Sequence, residues 1–160
     1  MGLSDLSGAY LCRALRNNRS IVKVDAEGNN FGPKTLTSLA DSLTTNDVVR
    51  HVNLEGNPLV KNEAGGHDVA GVGRLAEMLK VNNSLRYLNL FGCNIQSSGG
   101  HQLVSGLVGN AALIFLEVGN NGLSQGQTRR VADRLDENKD RYERVKMGEI
   151  ESARQVREGR

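Results

Sequence analysis

The apolar residues of this chain follow a spacing that recurs four times. Residues 84–95 read SLRYLNLFGCNI, with apolar residues at positions 1, 4, 6 and 11 counted from Leu85 and a cysteine at position 9. The same spacing starts at Ile21, Val49 and Leu113, each time with asparagine at position 9. Apolar residues that alternate strictly with polar ones predict a strand buried on one face, and apolar residues every three or four positions predict a helix. This spacing follows neither pattern. The starts lie 28, 36 and 28 residues apart, which indicates repeated structural units.

A helical pattern trails each strand-like segment. Apolar residues recur at offsets 18 and 22 from each start, once the second unit is allowed eight extra residues around 60–67. That insertion is either a solvated variable loop or a partner-specific finger. An asparagine follows each helix at offset 25, and we expect it to end the helix in a left-handed conformation. These residues are Asn46, Asn82, Asn110 and Asn138.

The motif LxxLxLxx(N/C)xL with one helix per unit resembles the ribonuclease-inhibitor type of leucine-rich repeat, over about residues 21–138. The resemblance implies an α/β fold, a leucine-rich repeat solenoid with parallel strands on a concave face and helices on a convex face. Leucines at positions 1, 4 and 6 then point into the core, and the position-9 asparagine bonds to backbone groups in the bend. Cys93 is expected to replace that asparagine as a buried structural variant. Glycine at position 8 (residues 28, 56 and 92) indicates a positive φ beside the bend.

Three segments are predicted: an N-terminal helical cap, 1–20; four leucine-rich repeats, 21–138; and a charged helical tail, 139–160. Leu11 and Leu15 occupy offsets 18 and 22 of a preceding unit, so we expect residues 4–17 to form a helix-only half unit. Such a half unit covers the open end of a repeat core. The alternative is that the chain is a slice of a longer repeat array.

The fourth helix is expected to close at Asn138, after which a charged helix takes over. From Asp133 to Arg160 the chain has eight acidic and eight basic residues. Two readings of this tail stay open. Either Tyr142 and Val145 fold back as a C-terminal cap, or the helix extends and its sparse apolar stripe docks on a partner.

Equivalent residues of in-register parallel strands form ladders across the predicted sheet. Three of the six aromatic residues, Tyr87, Phe91 and Phe115, fall on its outward positions. Rigid aromatics beside arginines are typical of interface hot spots, so we predict a protein-binding face there. The alternative is that the tail helix or a register shift hides the aromatics. The predicted binding residues are Arg50, His51, Asn53, Glu55, Arg86, Tyr87, Asn89, Phe91, Ile114, Phe115 and Glu117.

The composition of the chain argues against several classes of function. A net charge of +2 is too small to indicate nucleic-acid or membrane binding. The three histidines lack metal-ligand spacing, and no nucleophile or phosphate-loop motif is present, so we expect no enzyme, no cofactor and no small-molecule substrate. Two cysteines, no signal peptide and no membrane-length apolar run favour a cytoplasmic protein.

The leading functional hypothesis is a non-catalytic protein-interaction module or scaffold, as a subunit of a cytoskeletal or ciliary assembly such as the axoneme. Residues 75–89, LAEMLKVNNSLRYLN, are similar to the leucine-rich-repeat half of tropomodulin, which implies an actin-filament cap as an alternative. A second alternative is a regulator of a small GTPase that resembles the Ran GTPase-activating protein.

Overall fold

The computed structural model describes residues 2–158. Met1, Gly159 and Arg160 lie outside the described residues, so the predicted cap and tail are described only within them. The described residues form five α-helices, a short 3-10 helix at Leu15–Asn17 and four strands. In chain order the helices and strands are α1 (Asp5–Ala14), β1 (Lys23–Asp25), α2 (Pro33–Leu43), β2 (His51–Asn53), α3 (Ala70–Val81), β3 (Tyr87–Asn89), α4 (Gln96–Leu107), β4 (Phe115–Glu117) and α5 (Gln125–Glu158).

The four strands form one parallel sheet in the order β1-β2-β3-β4. Lys23, His51, Tyr87 and Phe115 are paired in one ladder across it, as the repeat spacing predicted. Each strand is three residues long, because the chain turns immediately after it. A parallel sheet with a helix between each pair of strands confirms the predicted α/β class.

The core lies between the sheet and the helices. Position-4 residues such as Val52 and Leu88 share one hydrophobic cluster with helix residues such as Leu39 and Leu75. Positions 1, 4 and 6 are buried in the second, third and fourth units. Ile21 is different, with 40% of its surface exposed, because within residues 2–158 no strand pairs with the outer edge of β1. Position 1 of the first unit therefore lies beside core residues such as Leu39 and Leu54 but is not buried.

The bend after each strand has the predicted backbone and hydrogen bonds. Gly28, Gly56 and Gly92 have φ of 67°, 68° and 65°, the left-handed region that glycine enters without strain. Asn57 Nδ2 donates to the carbonyls of its own bend and of the preceding unit. The buried Cys93 Sγ makes the equivalent contact with the Leu54 carbonyl, 3.2 Å away. Cys93 is thus a structural member of the bend.

The asparagines at offset 25 behave differently from the prediction. Asn82, for example, has φ −75° and ψ 126°, and none of the four has a positive φ. The Oδ1 of Asn82 accepts hydrogen bonds from the N–H groups of Ser84 and Leu85. The Nδ2 of Asn82 donates to the Leu43 and Asn46 carbonyls of the preceding unit. The left-handed prediction is wrong because this side chain joins consecutive units and folds the following turn.

Helix α5 is continuous from Gln125 to Glu158 and passes through the predicted boundary between residues 138 and 139. The prediction that the fourth helix closes at Asn138 is therefore wrong. Residues 139–158 are all exposed, Tyr142 and Val145 included. Of the two readings of the tail, the structure has the extended helix.

The eight-residue insertion forms a loop in which residues 61–67 are exposed and Val60 is buried in the core. Lys61 and His67 are joined by an isolated antiparallel bridge at its base. The Glu63 carboxylate lies 2.7 Å from Lys34 Nζ, which ties the loop loosely to α2. Exposed ion pairs of this kind contribute little stability, so the loop is a surface feature of the fold.

Candidate protein-binding face

Three rings lie side by side on the exposed face of the sheet. The His51 and Tyr87 rings are stacked, with centroids 4.3 Å apart and an interplanar angle of 6°. The Tyr87 and Phe115 rings are 6.0 Å apart and tilted by 34°. Tyr87 is 39% exposed and Phe115 is 45% exposed, so the row is open to a partner. We call these three residues and Phe91 the aromatic row.

Phe91 lies near the carboxyl ends of the strands, with 38% of its surface exposed. Its neighbour in the next unit is Gly119, and a methyl group there would lie 3.0 Å from the Phe91 ring. Glycine at this position therefore leaves room for the ring to lie over the adjacent unit. The alternative that a helix or register shift hides the aromatics is wrong.

Two arginines lie at the opposite, amino-terminal edge of the strands. Arg50 Nη1 donates to the Asp47 carbonyl, and Arg86 Nη1 donates to the Asn83 and Ala112 carbonyls. Within residues 2–158, no carboxylate forms an ion pair with either guanidinium. Burial, and then the positive charge of Arg50, lower the pKa of the Arg86 guanidinium. Two adjacent cations without a counter-ion create a positive potential beside the aromatic row.

The predicted polar residues form a network along the face. Asn53 Nδ2 donates to the Asp25 and Glu27 carboxylates at 3.0 and 3.2 Å, and Asn89 Nδ2 donates to Glu55 Oε2 at 2.8 Å. A side-chain oxygen of Asn53, of Asn89 and of Glu117 also accepts a hydrogen bond from the backbone N–H of the residue two positions later in the chain. These contacts hold the polar side chains in place around the rings. They also leave the carboxyl-terminal edge of the face acidic, opposite the two arginines.

The structure brings the predicted residues onto one surface, with different exposures. Ile114 is half-buried beside Phe115. The sequence analysis placed Tyr142 in the tail and not among the binding residues; it lies on α5, is 42% exposed and is close enough to Arg86 to affect the guanidinium pKa. A signal for it existed, because Tyr142 follows Ile114 by 28 residues and so occupies position 2 of a fifth unit.

Neither cysteine is part of this face. Burial raises the pKa of the Cys93 thiol to about 11. Burial, and then the negative charge of Asp5, raise the pKa of the Cys12 thiol to about 11. Both side chains are neutral at physiological pH, which is typical of structural rather than nucleophilic cysteines.

Two negative findings concern the described part of the chain. Residues 2–158 contain no group of three or more His, Cys, Asp or Glu side chains placed to hold a metal ion. None of the helices within residues 2–158 has the length and apolar character needed to cross a bilayer.

No protein-family model matches the sequence, and a comparison with curated proteins finds no significant match. Solved structures do match. Actin-binding site 2 of leiomodin-1 superposes with a TM-score of 0.78 at 17% identity, covering 94% of this chain and 83% of that one. The C-terminal domain of tropomodulin from Caenorhabditis elegans gives 0.73 at 19% identity, covering 91% and 83%. The chain therefore has the fold of these two domains.

These likenesses confirm, for the fold, the resemblance to tropomodulin that residues 75–89 indicated. Coverage of 94% means that the match extends beyond the four strand–helix units of residues 21–138. Neither match tests the assignment to the ribonuclease-inhibitor type, which stays a prediction.

Proposed function

We propose that this chain is a non-catalytic protein-interaction module, built as a leucine-rich repeat solenoid, that binds a protein partner through the aromatic row. The proposed setting is a cytoskeletal assembly in the cytoplasm. The observation that carries the proposal is the row itself: stacked and tilted rings exposed on a rigid sheet. Such rings offer large contact area at little cost in conformational entropy.

The charges around the row suggest how a partner is oriented. Arg50 and Arg86 lie at one end, where no carboxylate of residues 2–158 forms an ion pair with them, and Glu55 and Glu117 lie at the other. A partner surface with an apolar centre, an acidic side and a basic or amide side fits this arrangement. Opposite charges at the two ends would set the orientation and speed association more than they would raise affinity.

Actin is the first partner to test. One structural neighbour is named as an actin-binding site of leiomodin-1, and its fold covers nearly all of this chain. Fold likeness alone is a weak guide to function, so the proposal depends on a direct binding measurement. The ciliary and Ran-type hypotheses gain no support from these likenesses and stay predictions.

The test is co-sedimentation with filamentous actin, together with a pointed-end elongation assay. Three variants accompany the intact protein: Phe91→Ser/Phe115→Ser, Val108→Ser and a chain ending at Asn138. Val108 is the matched control, because it is 66% exposed and lies after α4, away from the sheet. We expect the intact protein and Val108→Ser to bind actin and the double variant to lose at least tenfold in affinity.

The truncated chain separates the sheet from the tail. Binding that survives removal of residues 139–160 supports the aromatic row as the site. Complete loss on truncation, with the double variant binding normally, would move the site to α5 and contradict the proposal. Absence of actin binding by the intact protein would exclude actin, and a pull-down with the same variants would then test the row against other partners.

A further inference from the structure

Phe91 lies between two glutamates on the exposed face of the sheet. It occupies position 7 of its unit, and the residues at position 7 of the two adjacent units are Glu55 and Gly119. The Gly56 N–H donates to the Phe91 carbonyl at 2.9 Å, which holds the backbone of Glu55 beside that of Phe91. The first carboxylate therefore lies on the β2 side of the ring.

Glu117 supplies the second carboxylate, on the β4 side. Its Oε1 accepts the Gly119 N–H at 2.7 Å, so the side chain reaches from position 5 towards position 7. A methyl group on Gly119 would lie 2.9 Å from this oxygen and 3.0 Å from the Phe91 ring. The carboxylate oxygen and the ring thus lie against the same glycine and close to each other.

Both carboxylates are held in place without a cationic partner. Asn89 Nδ2 donates to Glu55 Oε2 at 2.8 Å, as the Gly119 N–H does to Glu117. Within residues 2–158, no lysine, arginine or histidine forms an ion pair with Glu55 or Glu117. Two negative charges beside an exposed aromatic ring attract a cation to that ring.

We propose that Phe91, Glu55 and Glu117 bind an arginine side chain of the protein partner, and we call these three residues the arginine site. This inference rests on the proposed function, in which the aromatic row is the partner-binding face. A planar guanidinium stacks on aromatic rings and carries hydrogen-bond donors on more than one edge, so it fits a ring with carboxylates on both sides. A lysine ammonium is a single point charge and matches this arrangement less well.

The two ends of the strands would then give the partner one orientation. Arg50 and Arg86 at the amino-terminal edge repel a second guanidinium, whereas Glu55 and Glu117 at the carboxyl-terminal edge attract it. A partner arginine is therefore directed to the Phe91 end of the aromatic row.

The probe for the test is N-acetyl-arginine methylamide. Its control is N-acetyl-citrulline methylamide, because citrulline has nearly the same shape without the charge. An NMR titration of the isotope-labelled intact protein follows the signals of the Phe91 ring and the Gly119 amide. We expect saturable shifts of these signals with the arginine compound, and binding of the citrulline compound at least fivefold weaker.

The variant Glu55→Gln/Glu117→Gln removes both charges and keeps an oxygen to accept each existing hydrogen bond. Glu27→Gln is the matched control, because Glu27 also stands at position 7 and also accepts from an asparagine, Asn53 at 3.2 Å, but has no aromatic neighbour at position 7. The double variant should bind the arginine compound at least fivefold more weakly, and Glu27→Gln should leave binding unchanged. Phe91→Leu, which keeps an apolar side chain without the ring, should weaken binding at least twofold.

Three results of the titration would overturn the proposal. They are equal binding of the arginine and citrulline compounds, shifts confined to residues away from the arginine site, and undiminished binding by Glu55→Gln/Glu117→Gln. Tighter binding of N-acetyl-lysine methylamide would also contradict the choice of arginine.

Co-sedimentation with actin distinguishes failure of the arginine site from failure of the proposed function. If Phe91→Ser/Phe115→Ser loses actin binding while Glu55→Gln/Glu117→Gln keeps it, the arginine site is wrong and the aromatic row stands. If the arginine compound binds at the site but the intact protein does not bind actin, the site stands and actin is excluded as the partner.

Discussion

One buried asparagine in each repeat unit links that unit to the preceding one through side-chain hydrogen bonds. Asn46 Nδ2 donates to the carbonyls of Leu15 and Asn18, and Asn110 Nδ2 to that of Leu79, so each amide bonds to the unit before its own. Each Oδ1 also accepts two N–H groups of its own turn. Sequence placed these residues correctly but not their role, because asparagine serves both as a helix-ending residue and as a bridge between backbone segments.

Asn82→Ala should lower the free energy of unfolding by about 2–4 kcal/mol, because it leaves buried carbonyl and N–H groups without partners. Urea unfolding measures this. The matched control is the adjacent, exposed Asn83, whose side-chain amide makes a single 3.3 Å hydrogen bond. Asn83→Ala should change stability by less than about 0.5 kcal/mol. Equal effects of the two substitutions would argue against the bridging role.

The two cysteines should be unreactive in the folded protein. With thiol pKa values raised to about 11, Cys12 and Cys93 stay neutral at pH 8 and are shielded from reagents. A thiol-reactive dye should label neither residue until urea unfolds the chain. Because both thiols are ionised more readily when unfolded, their contribution to stability is complete below about pH 8.5 and is lost as the pH rises towards 11. Labelling of the native protein would contradict their burial.

At the scale of elements, α2 is capped by a residue of α1. Gly32 precedes α2 and has no side chain to accept its first N–H groups. Asp5 supplies the acceptor, with Oδ1 receiving the Gly32 and Thr35 N–H groups at 2.8 and 2.7 Å and Oδ2 receiving that of Lys34. Burial raises the pKa of the Asp5 carboxyl. The hydrogen bonds from Thr35, Gly32 and Lys34 together lower this pKa by more than burial raises it, so the pKa lies below its usual value.

Asp5→Ala should therefore lower the free energy of unfolding by about 1–2 kcal/mol at pH 7. Because the folded pKa is depressed, this contribution is present above about pH 4 and is lost as the pH falls through the folded value. Unfolding of both proteins between pH 7 and pH 2 measures the difference. Asp133→Ala on exposed α5 is the control and should have little effect at any pH. A difference independent of pH would show that the charge of Asp5 has no part in the cap.

Helix α5 shows what the repeat pattern could not predict. Asn138 occupies the same offset as the other asparagines and is fully buried, and its Nδ2 still donates to the Leu113 carbonyl. Within residues 2–158 its Oδ1 accepts no hydrogen bond, because the chain continues as helix and presents no turn N–H groups there. A fifth strand would place Arg141, Arg144 and Lys146 at the core positions, so burial disfavours the strand and the helix continues.

A chain ending at Asn138 should keep nearly all of its stability, because residues 139–158 are exposed throughout. We expect a melting temperature within about 3 °C of that of the intact protein. Differential scanning calorimetry measures it. A chain that ends before Val131 is the comparison, since it removes a buried core residue and should melt far lower. A large loss on the first truncation would mean that the tail packs against the sheet.

At the scale of the whole molecule, the fold was predictable because four units repeat the same constraints. The spacing of leucines in each unit, shared by all four, requires parallel strands in one register, and the structure has that register. The outward position of the aromatic row followed from it. The leucine spacing does not continue past the fourth unit, so the sequence could not show that α5 runs on through the boundary placed at Asn138.

The central claim is that one side of the sheet is core and the other is free for a partner. Adjacent residues of β4 test it directly, because Phe115 is 45% exposed and Leu116 is 6% exposed. Urea unfolding of the single alanine variants compares their contributions to stability. Leu116→Ala should lower the free energy of unfolding by about 2–5 kcal/mol and Phe115→Ala by about 1 kcal/mol or less. A larger loss for Phe115→Ala than for Leu116→Ala would place the aromatic row in the core and contradict the account.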